Sequence, residues 1–516
     1  MSNRSNDILI QLIKSLEKAE KRHFKLYIKR SSGNEDLKIV RLFDVIDKLK
    51  DYDEKVLQKK MPGVTKPQLA NLKTHLYKQI LASLRLLKSA DSMDLQLNEQ
   101  FDYAHILYKK GLFSSSLRIL ERVKEIARHN QKFSFLIQVI ALEKRIEGLN
   151  ITRSAQGRVE QLATEANEVS RHIEGVTRLS NLALQLYSWF TKHGHVRNIE
   201  DEAGIKQFMK ENLSANEVQG SDFYERMYLY ESYTWYAFIR QDFFLYYRYV
   251  QKWVDLFDNE PMMIRVETGH YIKGLHNLLN AHFDLRNHKG FDATLAKFKT
   301  FATTNRVKEH DNFRVQAFIY INLAKINGHF MKGTFGEGLK DVPQLLKEVE
   351  QNHLFIDKHR LMVLDYKIAS LYFGSGDFDT AIDYLQKIIQ EPVDLRTDLH
   401  SYARLMHLMA HYELGNDSII ESLAKSVYRF LARMNSLTVV EEEIFRFLRR
   451  SFKVSPRMLK PELEKLLENI KHLEKDRFQT RSFAYIDIIS WVESKVYNKP
   501  MGEIIHQKYL QSRHRI

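Results

Sequence analysis

One stretch of the sequence, Leu361 to Pro392, constrains the fold more than any other. Its first half, LMVLDYKIASLYF, is apolar on nearly every face of a helix. A Gly-Ser-Gly-Asp turn follows, and then FDTAIDYLQKII places its apolar residues on one stripe before Pro392. The pattern predicts two antiparallel helices joined by a tight turn. Such a pair cannot bury its apolar face alone, so it predicts stacked neighbouring pairs.

Similar helix pairs are expected to recur from about residue 97 to residue 438. The expected turns lie at Gly111, Gln241-Asp242, Gly290-Phe291, Gly328-His329-Phe330, Gly376 and Leu414-Gly415-Asn416-Asp417. Their uneven spacing indicates a degenerate array of seven or eight pairs. The pairs between 130 and 220 are the least clear, and longer loops are expected at Thr191–Gly204 and Leu213–Asp222.

Composition agrees with helices joined by short connections. The chain has 516 residues, of which only 20 are Gly and 8 are Pro, whereas sheets with tight turns need more of both. This length exceeds one ordinary core, which favours a solenoid or several domains. The sequence therefore predicts an all-α protein.

Cysteine is absent, which excludes disulfides, thiolate metal ligands and cysteine nucleophiles. The N-terminus has charges through its apolar positions, so it is not expected to be a signal peptide. The longest strongly apolar run, Phe135 to Leu142, is far shorter than the roughly 20 residues of a membrane span. We expect a cytoplasmic protein that does not bind membranes.

The net charge of +14 lies at the two ends of the chain. Residues 1–90 contain 20 Lys and Arg against 10 Asp and Glu, and residues 441–516 contain 16 against 11, which leaves residues 91–440 at −1. We therefore predict three parts: a basic α-helical module (1–90), a repeat array (91–440) and a C-terminal helical cap (441–516). Basic ends favour an acidic partner or simply a soluble surface.

Within the basic module, helices are predicted at about 5–30, 35–50, 54–61 and 66–88. Thr65 is the expected N-cap of the last helix. The short helix, turn and long helix are similar to a helix-turn-helix, which would present side chains to DNA bases and phosphates. The candidate nucleic-acid contacts are Lys66, Gln68, Asn71, His75 and Lys78. An ordinary amphipathic helix that caps the array is the alternative.

A dense aromatic cluster lies between Tyr224 and Trp253. Tyr and Trp suit binding surfaces because they combine a large apolar area with a polar tip. The candidate partner-binding residues are Tyr230, Trp235 and Arg240, which would line a peptide groove. An aromatic stripe at helical spacing is also typical of a core.

Signatures of catalysis and of bound metals are weak. His407 and His411 have the spacing of two metal ligands on a helix, but the sequence shows no third ligand, so no metal site is predicted. The sequence GTFGEG, residues Gly333 to Gly338, lacks the Lys-Ser/Thr pair of a phosphate-binding loop and is expected to be a flexible inter-helix loop. No catalytic residue and no cofactor is predicted.

The Leu361–Pro392 unit resembles the tetratricopeptide repeat (TPR) family. The resemblance rests on Ala369, Tyr372, Gly376, Phe378, Ala381, Leu385 and Pro392. It implies a right-handed superhelix of helix pairs whose concave face binds a peptide or partner helix. A basic helical segment before such an array is also similar in layout to bacterial peptide-responsive regulators.

Three functions remain open from the sequence. The first is a non-enzymatic adaptor or scaffold that holds a peptide or protein in its concave face. The second is a transcription regulator that contacts DNA through residues 1–90 and uses the array as sensor or dimerisation surface. The third is an enzyme with its site in the loops of residues 190–222.

Overall fold

The computed structural model describes ten ranges of the chain. They are residues 8–30, 34–49, 53–89, 92–149, 157–213, 222–393, 396–434, 437–451, 454–476 and 478–513. All regular secondary structure in these ranges is helical, which confirms the all-α prediction. The chain divides into two compact units, Met1–Ile173 and Glu174–Ile516. The expected boundary at 90 lies inside the first unit, and the one at 440 lies inside the second.

The first unit begins with a basic five-helix module. The helices of this module are α1 (Ile8–Ser15), α2 (Lys18–Lys29), α3 (Asn34–Lys48), α4 (Glu54–Lys60) and α5 (Lys66–Lys88). The rest of the first unit consists of α6 (Met93–Lys109), α7 (Phe113–His129), α8 (Phe133–Leu149) and the first part of α9 (Arg158–His193). The single helix expected at 5–30 is two helices, because Glu17 caps α2 by a reciprocal capping box with Glu20. Thr65 caps α5 as expected.

Helices α6 and α7 form the pair predicted around Gly111. Gly111 has a φ of +74°, the left-handed conformation that a tight helix turn needs. Ser116 Oγ donates to the carbonyl of Ala104 at 2.8 Å, so two small residues let the helices approach closely. This pair has the local pattern that the sequence indicated.

Buried charges join α7, α8 and α9 within the first unit. Lys124 Nζ donates to a carboxylate oxygen of Glu143 and, at 3.0 Å, to one of Glu165. Arg158 Nη2 donates to the second Glu143 oxygen at 3.1 Å. Lys124, Glu143 and Glu165 are each less than one tenth exposed. The loss of Lys124 removes the cation that both carboxylates share and leaves only Arg158 beside Glu143 and Arg128 beside Glu165.

The second unit continues the pairs and adds C-terminal helices. Its helices after α9 are α10 (Ile199–Asn212), α11 (Phe223–Ile239), α12 (Phe243–Asn259), α13 (Pro261–Val266), α14 (Thr268–Asp284), α15 (His288–Ala302), α16 (Asn305–Lys308), α17 (Asp311–Lys332), α18 (Phe335–Lys340), α19 (Val342–Gln351), α20 (Lys358–Ser375), α21 (Phe378–Gln390), α22 (Thr397–Glu413), α23 (Asp417–Arg433), α24 (Val439–Ser451), α25 (Pro456–Lys471), α26 (Thr480–Tyr485), α27 (Ile488–Val496) and α28 (Met501–Arg513). The helices of each of the pairs α11/α12, α14/α15, α20/α21 and α22/α23 pack against each other.

Two predicted turns lie inside helices. Gly290 belongs to α15, and a Cβ there would lie 2.4 Å from the His282 ring, so this glycine permits close helix packing. Gly328 belongs to α17, whose left-handed C-cap is Gly333. The turn before α15 is made instead by Arg286, at a φ of +54°. In these two pairs the glycines lie at close contacts between helices and not in the turns.

Two of the predicted loops are largely helical. Thr191–Gly204 contains the end of α9 and the start of α10, which leaves only residues 194–198 between them. The GTFGEG sequence contains the start of α18, where Phe335 and Gly338 are buried. It is an ordered turn and helix rather than a flexible loop. Leu213–Asp222 lies almost wholly outside the described residues.

The C-terminal helices pack on the first helices of the pairs. Tyr485 of α26 stacks on Tyr402 of α22 at 4.2 Å between ring centroids, and its carbonyl accepts from the Tyr366 hydroxyl of α20 at 3.1 Å. Trp491 Nε1 of α27 donates to Glu413 at 2.6 Å. These contacts place α26 and α27 against α20 and α22, and α28 packs on α17 and α20. Residues of these C-terminal helices close one side of a cavity.

Candidate functional site

A cavity of about 330 Å³ lies between the first helices of the pairs and the C-terminal helices of the second unit. Its walls come from the ends of α14 and α17, from α18, α20 and α22, and from residues around α26 and α28. The volume is at the lower end of the range of about 300–1,000 Å³ that ligand pockets occupy. The cavity is therefore large enough for a small molecule or for a few side chains of a partner.

Aromatic side chains form most of the apolar wall. They are Phe243, Phe283, Phe330, Phe335, Phe373, Phe483 and Tyr485. Phe335 reaches its place because residue 374 is glycine, where a Cβ would lie 2.5 Å from the Phe335 ring. Rings of this kind bind apolar or flat groups of a ligand.

Two opposite charges project into this apolar space from different helices. Asp284 ends α14, and Lys367 lies in the middle of α20. Burial raises the pKa of Asp284 to about 7, although the positive charges of Arg286 and Lys367 oppose the shift. Burial lowers the pKa of Lys367 to about 8, and the negative charge of Asp284 opposes it. Among the described residues, neither side chain has a hydrogen-bond or ion-pair partner.

Aromatic rings surround the Lys367 ammonium. Its Nζ lies 5.1 Å from the centroid of the Phe330 ring and 5.6 Å from that of Phe283. Arg286 lies on Phe283 as well, with its guanidinium carbon 5.3 Å from the ring centroid. Cation–π contacts favour the charged form of Lys367 but accept none of its N–H bonds. The donors are therefore available to an acceptor that enters the cavity.

The C-terminal side of the cavity is held rigidly. Tyr485 donates to Asp398, which also accepts two bonds at 3.0 Å from the guanidinium of Arg396. Asp487 accepts from the backbone N–H of Ser490 at 3.0 Å and from its hydroxyl at 2.9 Å. These bonds fix the start of α27, so this wall is preformed.

The predicted partner-binding residues Tyr230 and Trp235 are both half-buried and have different neighbours. The Tyr230 ring lies 6.2 Å from the Tyr249 ring, and Lys252 Nζ lies 5.8 Å from its centroid. Trp235 packs on Tyr187 at 5.1 Å between centroids. Neither side chain belongs to the lining of the cavity described above.

The third predicted partner-binding residue, Arg240, caps the C-terminal end of α11. Its Nε and Nη2 donate to one oxygen of the buried Glu202 at 3.1 and 3.0 Å. Its guanidinium carbon lies 5.0 Å from the Tyr236 ring centroid. The charge of Arg240 is therefore paired within the second unit.

The five predicted nucleic-acid contacts all lie on α5 in the first unit, with exposed side chains. They are Lys66, Gln68, Asn71, His75 and Lys78. Gln68 has an additional role, since its Oε1 accepts from the Thr65 backbone N–H at 2.9 Å in the capping box. The opposite face of the helix is buried through Leu69, Leu76 and Ile80.

The two histidines at metal-ligand spacing pack on each other. The rings of His407 and His411 meet edge to face at 4.6 Å between centroids. Burial lowers the pKa of His407 to about 4. Within the described ranges, no group of three or more His, Cys, Asp or Glu side chains is arranged to hold a metal ion. None of the described helices is long and apolar enough to cross a membrane.

Comparisons with known proteins found no family and a distant structural likeness. No protein-family model matches the chain, and no curated protein matches it. The structure titled "Crystal Structure of the Apo Form of RapI" superposes with a TM-score of 0.36 at 10% sequence identity, covering 78% of this chain and 99% of that chain. A TM-score this low assigns no residue of this chain to a functional residue of RapI.

One feature of the sequence points to the cavity. Asp365 and Lys367 are charged residues in a helix that is apolar on nearly every face. A charge on such a helix must face a partner, a cavity or another charge. Asp284 and Phe330 gave no such signal, because they stand at helix ends in weakly patterned pairs.

Proposed function

We propose that the protein is a non-enzymatic adaptor that holds a short segment of a partner in the cavity of the second unit. The observation that carries this proposal is a cavity with aromatic walls in which the charged side chains of Asp284 and Lys367 make no hydrogen bond or ion pair with the described residues. A groove of this composition suits a segment with apolar side chains and at least one charged group.

The rigid C-terminal wall favours a short segment over a long one. Helices α26 to α28 cover part of helices α17, α20 and α22 through buried residues such as Ile488 and Trp491. Because these residues belong to the main core of the unit, uncovering that face would expose a large apolar area. The accessible remainder is the cavity itself.

A pair of serines on α20 allows a matched test. Ser370 lines the cavity and donates to the Tyr366 carbonyl at 2.8 Å, whereas Ser375 is exposed and donates to the Tyr372 carbonyl at 2.8 Å. Ser370→Leu should narrow the cavity and obstruct a bound segment, and Ser375→Leu should leave the cavity unchanged. Both variants lose a similar local hydrogen bond.

The experiment is an affinity capture from native lysate, with and without nuclease, using the wild type and the two serine variants. The adaptor function predicts a stoichiometric, nuclease-resistant protein that Ser370→Leu loses and Ser375→Leu retains. Equal capture by all three proteins would refute the cavity as the partner site.

A second candidate function is nucleic-acid binding through the first unit. It is supported by the exposed, acid-free face of α5. Affinity should fall steeply as salt rises, because Lys and Arg displace counterions from phosphates. The double variant Lys66→Glu with Lys78→Glu should abolish retention of nucleic acid at low salt. Unchanged retention would rule this function out.

A further inference from the structure

The chemistry of the cavity points to one kind of ligand group. The Lys367 ammonium carries three N–H donors, and its immediate neighbours are the faces of Phe283 and Phe330, which accept no ordinary hydrogen bond. Lys367 is half-buried, so these rings replace part of the hydration of its ammonium without supplying an acceptor. A ligand that supplies an acceptor restores a hydrogen bond to this charge.

We propose that Lys367 is the anion-binding residue of the cavity and that the natural ligand presents a carboxylate on an apolar body. The inference rests on the proposed function and names the chemistry of its ligand. The apolar body contacts the phenylalanine wall, and the carboxylate accepts from Lys367 Nζ. Arg286, exposed beside Phe283, adds a second positive charge near the same ring.

Asp284 makes this site sensitive to pH. An ionised carboxylate at Asp284 repels an incoming anion, whereas the protonated group donates a hydrogen bond to it. Since the pKa of Asp284 is raised to about 7, the protonated form increases as the pH falls below 8. Because the pKa of Lys367 is lowered to about 8, this lysine also loses positive charge as the pH rises above 7, which weakens anion binding further. Anion binding should therefore strengthen as the pH falls from 8 to 6.

The other charged or titratable groups that face the cavity are Arg286, Glu474, Tyr485 and Asp487. Asp487 already accepts two hydrogen bonds from Ser490. Glu474 is exposed and lies on the C-terminal side. Asp284→Asn isolates the part of the pH response that belongs to Asp284, because it leaves these four groups in place.

The test is isothermal titration calorimetry on the full chain with pairs of acids and amides. The first pair is 3-phenylpropionate and 3-phenylpropanamide, and the second is N-acetyl-Leu-Phe with a free carboxylate and the same peptide amidated. We expect each acid that binds to bind about tenfold or more tightly than its amide, since charged hydrogen bonds are the stronger ones. A response to the first pair only indicates a free small acid, and a response to the second indicates a peptide end.

Variants of the protein complete the test. Lys367→Met should remove the preference for the acid, whereas Lys387→Met, which alters a lysine 4.1 Å from the Tyr384 ring outside the cavity, should keep it. Lys367→Arg should retain binding and replaces Lys367→Met if that protein does not fold. Asp284→Asn should abolish the gain in affinity below pH 7.

Several results would overturn the inference. They are equal binding of acid and amide, an acid preference that survives in Lys367→Met, or no binding of either acid to the wild type. If the acids fail while Ser370→Leu still abolishes partner capture, the proposed function stands and the carboxylate assignment falls. If the acids bind but Ser370→Leu leaves capture unchanged, the adaptor function falls.

Discussion

The close approach of α17 and α28 can be tested with one methyl group. Gly333 has a φ of +68°, and a Cβ there would lie 2.2 Å from the carbonyl oxygen of Gly502 and 2.8 Å from the backbone nitrogen of His506. Gly376 ends α20 in the same way, with a φ of +90°, but a Cβ there would meet no atom within 4 Å. Ala at these two positions therefore separates backbone strain from steric overlap.

The left-handed conformation costs a non-glycine residue about 1–2 kcal/mol, and both variants carry this strain. Only Gly333→Ala also forces two backbones apart, which for overpacked sites typically costs about 1–3 kcal/mol more. We expect the free energy of unfolding of Gly333→Ala to be lower than that of Gly376→Ala by this second amount. The smaller entropy of the unfolded alanine chain is common to both and cancels.

Tryptophan fluorescence during urea denaturation measures the difference in free energy of unfolding between the two variants, because it reports on the second unit, which contains both glycines. All four tryptophans, Trp189, Trp235, Trp253 and Trp491, belong to residues 174–516. Hydrogen exchange should also show faster exchange of α28 in Gly333→Ala only. Equal midpoints and equal exchange in the two variants would refute the approach of α28 to Gly333, and with it this wall of the cavity.

Three further predictions concern buried charges and the aromatic cluster. Lys124→Met should destabilise the first unit by about 3–5 kcal/mol, because it removes the buried cation that Glu143 and Glu165 share and leaves each carboxylate with a single arginine. Lys425→Met on an exposed pair should change stability by less than about 1 kcal/mol. Circular dichroism during urea denaturation compares the two variants, and equal effects would contradict the buried network. The folded-state pKa of Asp284 is raised from 3.8 to about 7, so its contribution to stability is full below pH 4 and is lost as the pH rises through 7. Asp284→Asn should therefore become more stable relative to wild type between pH 4 and pH 7. A difference in urea midpoint between the two proteins that stays constant with pH would contradict this prediction. Tyr230 lies outside the cavity, so Tyr230→Ala should leave partner capture unchanged. Because the ring is half-buried, the variant should destabilise the second unit by less than the about 3–5 kcal/mol of a fully buried aromatic residue. Loss of capture by a folded Tyr230→Ala protein would place the partner at the aromatic cluster instead, and a larger loss of melting temperature would identify Tyr230 as a core residue.

The N-terminal module shows where local patterns suffice. The helix at 66–88 was predicted with its N-cap because a capping residue, a proline in the first turn and an apolar stripe all lie within one segment. The break between Leu16 and Lys18 was missed, since charged residues there fit either one helix or two. The apolar residues of α1 and α2 fit one continuous helical pattern, so that pattern does not indicate the capping box at Glu17.

The repeat array shows where local patterns fail. Gly111, Gly376 and Gly415 occupy the left-handed position of their turns, and these turns were predicted. In other pairs the same position is held by Gln131 and Arg286, with φ values of +52° and +54°. A residue without glycine's conformational freedom tolerates this backbone only because the packed helices on both sides stabilise it. A turn between two helices therefore need not contain glycine where helix packing stabilises the left-handed conformation of another residue.

The candidate cavity depended least on sequence pattern. Its wall joins residues far apart in the chain, as the bond between His506 Nδ1 and the Lys332 carbonyl, 174 residues apart at 2.9 Å, illustrates. Helical periodicity states which residues share a face but not which face of another helix they meet. The aromatic composition that predicts Tyr230, Trp235 and Arg240 as binding residues carries no information on which helix faces meet.

The amino-acid sequence by itself determined the helical class, the stacked pairs and the basic N-terminal module, because these follow from periodicity, capping and charge within short segments. Only the tertiary structure decided that α26 to α28 cover the first helices of the pairs and that Asp284 and Lys367 face the same cavity. The physical reason is that helix formation depends on residues three or four positions apart. The cavity depends on long-range packing, where many apolar faces could pair and shape decides between them.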